Sequence, residues 1–455
     1  MIRPATLHRL AYPRVSSNSL ARCRAIPKRA LSSTSPTYLN EHLPKSTSPI
    51  VSNPHFFNSV TPDGSGIPTY RVLDGSGKVL EGAEVPEVSE EMAVKMYENM
   101  LLLPTLDNVL YNVQRQGKIS FYMTSHGEEA TIIGSAAALD NQDEVLGQYR
   151  EMGVLLWRGF TLDNVMAQCF GTEEDISGKG RQMPVHFGSP AHHFHTISSP
   201  LATQIPQAAG VAYALKRDPE RRGKNVAACY FGEGAASEGD FHAGLLLAST
   251  LPSPTVFIAR NNGFAISTPS SEQFFGDGIA ARGPGYGIHT IRVDGNDILA
   301  VLDATRKARE LSLRDGRATL IECMSYRVGH HSTSDDSFAY RPRSEVEDRK
   351  RIDNPTLRFR LWLEGRGWWS EEKEKECKER LKRDVMKSFK RAEGVKRCEV
   401  GELFGDVYAG EEPWMQREQR AELASLLRKY GKVWGPWKKE LGKFRNEGED
   451  LMGKA

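Results

Sequence analysis

Two short polar clusters follow apolar runs in the middle of this sequence, and their residue types suit a metal-bound phosphate. The run Asn225–Phe231 ends in Gly232-Glu233-Gly234-Ala235, and the run Thr255–Arg260 ends in Asn261-Asn262-Gly263. In a parallel sheet, ligands bind beyond the carboxyl ends of strands, so both clusters would face one crevice. The glycines let backbone approach a phosphate closely. Glu233 offers a carboxylate, Asn262 an amide oxygen and Arg260 a guanidinium. Hard oxygen donors on Mg²⁺, with phosphate oxygens and water filling the remaining positions, are what a bound diphosphate requires, and the guanidinium would neutralise phosphate charge directly. A lone Gly-Glu-Gly reads first as a tight turn after a strand; the Asn pair at this spacing favours the metal. Two rival glycine motifs fail. A dinucleotide fingerprint needs a third Gly or Ala where Ser237 stands and an acid near Leu251–Thr255, which disfavours a nicotinamide-dependent oxidoreductase. A phosphate-cradling loop needs a hydroxyl after Gly-Lys, and Gly178-Lys179-Gly180 lacks one.

The elements that must position these groups alternate. Strand-like segments at Glu144–Tyr149, Asn225–Phe231, Thr255–Arg260, His289–Val293 and Ala318–Tyr326 are separated by helical periodicity at Ala130–Leu139, Thr161–Phe170, Leu201–Lys216, Glu238–Ser249 and Asp297–Leu313. Such alternation predicts an α/β fold with an open, mostly parallel sheet flanked by helices. Upstream, Ser89 is a candidate N-cap with Glu90 and Glu91 in the first turn, and Met92, Met96 and Met100 form a core stripe. Pro104 should end or kink that helix. Beyond residue 370 the chain is dense in Lys, Arg and Glu, with Cys377, Leu381, Val385, Phe389 and Ala392 at helical spacing. A second set, Leu423, Leu426, Leu427 and Tyr430, precedes a stop at Gly431. Packing on the same subunit and docking of a partner both fit these stripes.

Composition bounds the class. Of 455 residues, 39% are hydrophobic and 26% charged, an ordinary balance for a globular protein, and no apolar run is long enough to span a membrane. The cysteines are scattered with no C-x-x-C pair, which supports neither a zinc site nor a disulfide frame and suits a reducing compartment. Residues 1–40 hold seven basic side chains and no acid, the signature of a mitochondrial transit peptide. Without them 53 basic face 58 acidic residues, so charge gives no hint of nucleic-acid binding. The expected plan is a transit peptide over 1–40, an extended segment over 41–88, an α/β domain over 89–370 and a charged helical region over 371–455.

Gly232-Glu233-Gly234, then twenty-six residues, then Asn261-Asn262 resembles the thiamine-diphosphate motif, with Glu replacing the commoner Asp. Further segments match in order: Gly147-Gln148-Tyr149-Arg150-Glu151, the stretch from Gly178 to His186, Ile197-Ser198-Ser199-Pro200-Leu201-Ala202-Thr203-Gln204, the stretch from Tyr230 to Asp240, and Tyr326-Arg327-Val328-Gly329-His330-His331-Ser332-Thr333-Ser334-Asp335-Asp336. From about 90 to 430 the chain is similar to the alpha subunits of the decarboxylating component of branched-chain 2-oxo acid dehydrogenase complexes.

The resemblance implies a thiamine-diphosphate-binding fold with helical N- and C-terminal extensions, working in the mitochondrial matrix. It assigns Mg²⁺ to Glu233, Asn262 and the main-chain carbonyl of Phe264, where the family normally has Tyr. It assigns cofactor contacts to Gln148, Tyr149, Arg150, Ser199, Gly232, Gly234, Ala235, Arg260 and His331, and K⁺ to Ser198, Pro200, Thr203 and Gln204. His331 would be the catalytic histidine, since imidazole titrates in the useful range. Ser332 resembles a regulatory phosphorylation site answering to a kinase and phosphatase; the family's second site is Pro342 here. His186, His192, His193 and His195 read as loop and packing residues. No acid for the cofactor's pyrimidine ring is evident; by resemblance the beta chain supplies it in an α₂β₂ heterotetramer, so the chain alone should be inactive. The implied reaction is oxidative decarboxylation of branched-chain 2-oxo acids, with the acyl group passed to a lipoyl group on a partner acyltransferase core. The competing readings are a pyruvate dehydrogenase alpha subunit, disfavoured by His330-His331-Ser332 and Asp335-Asp336, and a non-catalytic scaffold, which would need none of Glu233, Arg260, Asn262 and His331.

Overall fold

The computed structural model describes residues 50–55 and 66–430. The basic leader, much of the segment over 41–88, and the stop at Gly431 with everything after it lie outside the described residues. The strands within them are β1 (Ile50–Val51), β2 (Thr69–Tyr70), β3 (Glu144–Leu146), β4 (Phe194–His195), β5 (Ala227–Gly232), β6 (Thr255–Asn261), β7 (Phe264–Ala265), β8 (Thr268–Pro269), β9 (His289–Asp294) and β10 (Thr319–Met324). Eight of them form one sheet in the order β1-β2-β9-β10-β6-β5-β3-β4, and every pairing in it is parallel. Central β6 and β10 are buried along their whole length, as strands covered by helices on both faces must be. The register aligns Gly232 of β5 with Arg260 of β6, and Arg260 with Cys323 of β10. Three loops, starting at Glu233, Asn262 and Ser325, therefore leave the sheet from the same edge, and β7 and β8 pair as a hairpin within the second loop.

Helices cover the sheet with local logic visible in their caps. Ser89 accepts from Met92 N, and Asp297 accepts from Leu299 N and Ala300 N. Gly316, at φ 60°, closes the helix Ile298–Asp315 in the left-handed region that glycine reaches without a steric penalty. The helix does not end at Pro104 but runs through it, from Glu90 to Arg115. An interior proline costs about 3 kcal/mol, and here Met96, Met100, Leu103, Leu106 and Leu110 bury a continuous face on both sides of it.

One segment differs from the expected plan, and a second decides between its two expected readings. The stretch 66–73, expected only as an extended lead-in, contributes β2, and Arg71 pairs with Asp294 at 2.5 Å. Asp297, besides capping its helix, accepts from Val72 N and Leu73 N at 2.7 and 2.6 Å. The charged helix Glu371–Gly394 buries Cys377, Leu381, Val385 and Ala392 in the main core beside Tyr97, Phe359 and Trp362. Its apolar face is thus used within the subunit. The second stripe is only half a stripe: Leu427 is buried with Ala424, whereas Leu426 and Tyr430 are exposed. No helix among the described residues is long and apolar enough to cross a membrane.

Candidate functional site

At the shared carboxyl edge the three loops and the turn after β3 enclose a cavity of about 220 Å³. Gln148, Tyr149, Arg150, Gly232, Glu233, Gly234, Ala235, Arg260, Asn262, Phe264 and His331 all line it, joined by Leu201, Ile266 and Arg327. The turn after β3 is organised by Glu151, whose Oε2 accepts from the backbone N–H groups of Gln148, Tyr149 and Arg150 at 2.8, 2.8 and 3.0 Å. Gln148 then accepts from Gly232 N at 2.9 Å, tying this turn to the end of β5. At Gly234 a Cβ would stand 3.0 Å from that of Ala265, so the missing side chain lets the hairpin close over the first loop.

The charges are buried and unevenly paired. Arg260 is hydrogen-bonded to Glu128 and ion-paired, 2.7 Å away, with Glu151, its Nε and Nη2 making no hydrogen bond. The charge expected to neutralise phosphates is therefore already paired with two carboxylates that the sequence reading did not place there. Burial alone would raise the Glu128 carboxyl, but Arg260 and Arg150 overcome it and hold it below the usual range. Glu233 has no such partner: Oε1 is buried without a hydrogen bond, and burial pushes its carboxyl up to about 7. Arg327 is also buried, with Nε and Nη1 unbonded and only Nη2 engaged, by Ile266 O at 2.7 Å and Tyr340 Oη at 2.6 Å. A lone buried carboxylate oxygen together with unbonded guanidinium nitrogens is costly unless a cation and an anion complete the set. These donors and acceptors fit a metal diphosphate.

His331 sits on the loop after β10. Its backbone N–H donates to Asp335 at 2.7 Å, its carbonyl accepts from Arg150 at 2.8 Å, and its Nε2 lies 3.5 Å from the Tyr149 hydroxyl. Burial and the cations Arg150 and Arg327 push its pKa down to about 3, so the imidazole is neutral near pH 7. Ser332 beside it is buried, with its hydroxyl accepting from Ser334 N at 3.3 Å.

Ser199 is not brought to the cavity wall; its hydroxyl lies 2.7 Å from His186 Nε2. Of the four residues assigned to K⁺, Thr203 donates to Pro200 O at 3.2 Å and Gln204 Nε2 donates to Tyr230 O at 3.0 Å. His193 and His195 both contact Glu144 at 3.1 Å, where Arg221 also pairs at 2.6 Å. No group of three or more His, Cys, Asp or Glu side chains suited to a metal occurs among the described residues. Sequence reasoning missed Glu128 and Arg327. Glu128 looks like an ordinary acid at a helix start, and only burial distinguishes it; Arg327 lay inside a quoted motif but had no assigned task.

The family profile described as Dehydrogenase E1 component matches residues 97–400. The chain belongs to this family. It is 56% identical over 367 residues to the 2-oxoisovalerate dehydrogenase subunit alpha, mitochondrial, of Homo sapiens, covering 81% of each chain. The protein of the same name from Caenorhabditis elegans is 53% identical over 368 residues, covering 81% of this chain and 84% of that one. Subunit alpha 1 of Arabidopsis thaliana is 52% identical over 371 residues, covering 81% and 77%. Membership as an E1 component brings thiamine diphosphate as the cofactor and removes the nicotinamide reading.

Proposed function

We propose that this chain is the alpha subunit of a mitochondrial branched-chain 2-oxo acid dehydrogenase, acting in the matrix on the 2-oxo acids derived from leucine, isoleucine and valine. The observation that carries the reading is the buried, unpartnered Oε1 of Glu233 at the sheet edge, in a chain that matches 2-oxoisovalerate dehydrogenase alpha subunits over four-fifths of its length. Those names favour the branched-chain reading over a pyruvate-specific one.

In this reading Glu233, Asn262 and the Phe264 carbonyl would hold Mg²⁺, a hard ion suited to oxygen ligands. Arg327 and Arg150, which line the same cavity, would face the diphosphate, with Gly234 and Ala235 allowing close backbone approach. Ser198, Pro200, Thr203 and Gln204 would hold K⁺ through their oxygens. Thiamine diphosphate, when bound, supplies the nucleophilic carbon and electron sink for loss of CO₂. His331, fixed through its own backbone by Asp335 and Arg150, would accept or return a proton beside the reacting group once the diphosphate charge offsets Arg150 and Arg327, which with burial hold its pKa far below the range expected from the sequence. The beta subunit provides the remaining carboxylate in an α₂β₂ heterotetramer, the acyl group passes to a lipoyl-bearing acyltransferase core, and a kinase and phosphatase act at Ser332.

The test is co-expression with the beta subunit, then comparison of 3-methyl-2-oxobutanoate with pyruvate using an artificial electron acceptor. Faster turnover of the branched acid, silence of the isolated chain, and loss of Mg²⁺-dependent cofactor uptake in Glu233→Ala are expected. Decarboxylation by the isolated chain, or a preference for pyruvate, overturns the assignment.

A further inference from the structure

Glu128 is fully buried, yet no role in the chemistry above requires it. Its position is set by the chain on either side. Gly127 before it has φ 92°, and a Cβ there would fall 2.0 Å from Tyr326 O, so only glycine lets this loop lie against the segment leading to His331. Val328 N donates to His126 O at 3.0 Å and fixes the same contact. From this position Glu128 Oε1 accepts from Asn262 Nδ2 at 2.8 Å, while Oε2 accepts from Arg260 Nη1.

An ionised carboxylate only accepts hydrogen bonds, so Asn262 must turn its NH₂ toward Glu128, which leaves Oδ1 facing the other way, with one bond from Phe264 N at 3.3 Å and a second lone pair open. A cation can be bound by that oxygen and would be repelled by the nitrogen. In addition, Glu128 and Glu151 together hold Arg260. A guanidinium so held is not drawn onto Glu233, whose Oε1 remains without a partner.

We propose that Glu128 is a positioning residue for the metal: it fixes the polarity of the Asn262 amide so that oxygen faces the ion, and it detains Arg260 so that the Glu233 carboxylate stays available. The proposal rests on the metal-diphosphate reading of this cavity and adds a residue to it. Glu128 touches neither metal nor substrate; it acts through Asn262 and Arg260.

The experiment is a double-mutant cycle on the α₂β₂ tetramer, read by calorimetric titration of thiamine diphosphate at several Mg²⁺ concentrations. Loss of a charge-assisted hydrogen bond predicts that Glu128→Gln and Asn262→Asp each weaken Mg²⁺-dependent uptake by about tenfold or more. In the combined E128Q/N262D protein, the introduced amide donates to the introduced carboxylate, whose second oxygen is free for the ion, and the total charge is unchanged. Uptake should return to within about threefold of the parent protein, the reciprocal coupling expected of touching partners. A role for Glu128 in packing alone predicts no rescue, and a double variant as weak as the weaker single overturns the inference. Glu128→Asp keeps the charge that Arg260 needs and shortens the reach; it should assemble even if E128Q does not, and parental affinity in it also overturns the inference. Mg²⁺-dependent uptake absent from the parent tetramer overturns the cavity reading and this inference together, whereas uptake that E128Q leaves unchanged overturns this inference alone.

Discussion

Replacing Arg327 by methionine separates binding from folding. In the folded chain the guanidinium is buried with Nε and Nη1 unbonded. Burial and the nearby cations Arg150 and Arg341 push its pKa down, which marks a charge the fold carries at a cost. Methionine keeps the apolar stem, ends near the position of Nε and carries no charge, so it removes that cost. Against this, the carbonyl of Ile266 and the Tyr340 hydroxyl each lose a hydrogen bond from the charged Nη2, a loss of about 1.5–3 kcal/mol apiece, against a burial cost of several kcal/mol for the charge. The two effects offset, and the cofactor-free tetramer should melt within a few degrees of the parent. Cofactor affinity should behave differently. A hydrogen bond to a charged group contributes about 1.5–3 kcal/mol, so binding of thiamine diphosphate should weaken by roughly 10- to 150-fold. Calorimetric titration at saturating Mg²⁺, paired with scanning calorimetry of the cofactor-free tetramer, measures both. Affinity within about threefold of the parent, with melting unchanged, refutes the assignment of Arg327 to the diphosphate; equal loss of stability and affinity would mean that Arg327 is structural.

Three other outcomes can be checked at the same site. The His331 pKa is lowered from 6.5 to about 3, so as pH falls the unfolded chain binds the extra proton first; the stability contribution of the neutral ring is complete above pH 6.5 and declines as pH falls toward 3. His331→Gln should flatten that part of the pH–stability curve, and an unaltered slope contradicts a buried neutral imidazole. Ser332→Glu places charge in a buried loop beside Asp335, whose carboxylate holds the His331 backbone, so turnover should fall strongly in an intact tetramer; full activity refutes a switch at this position. Phe264→Tyr restores the family's residue but leaves the carbonyl ligand as it is, so Mg²⁺-dependent cofactor uptake should not change, and a marked gain would reveal a part for the hydroxyl.

Much of the architecture could be read from the chain because its strands are buried on both faces and its helices carry their own caps. The runs ending at Gly232 and Asn261 announced adjacent sheet edges, and the structure aligns them as neighbours. What escaped were features decided by tertiary placement. Glu128 and Glu151 are acids whose burial has no sequence signature, so Arg260 looked like a free phosphate partner when it is in fact shared with two carboxylates. Pro104 obeyed its local rule less than its packing, because apolar contacts along the whole helix outweigh one missing hydrogen bond. The two-residue strand β2 is too short to show alternation, and only its partners reveal it.

That short strand has a practical implication for anyone trimming the protein. Arg71, Val72 and Leu73 satisfy Asp294 and Asp297, two wholly buried acids on the β9 flank, with β10 standing between them and the strand that carries Arg260. A chain shortened to begin at the first long helix would keep every residue lining the cavity, yet leave Asp294 with Arg358 as its one ion-pair partner and Asp297 with only its helix N–H groups, and bare a flank of β9. Such a fragment should be loosened and prone to self-association through the uncovered border, rather than a minimal working unit.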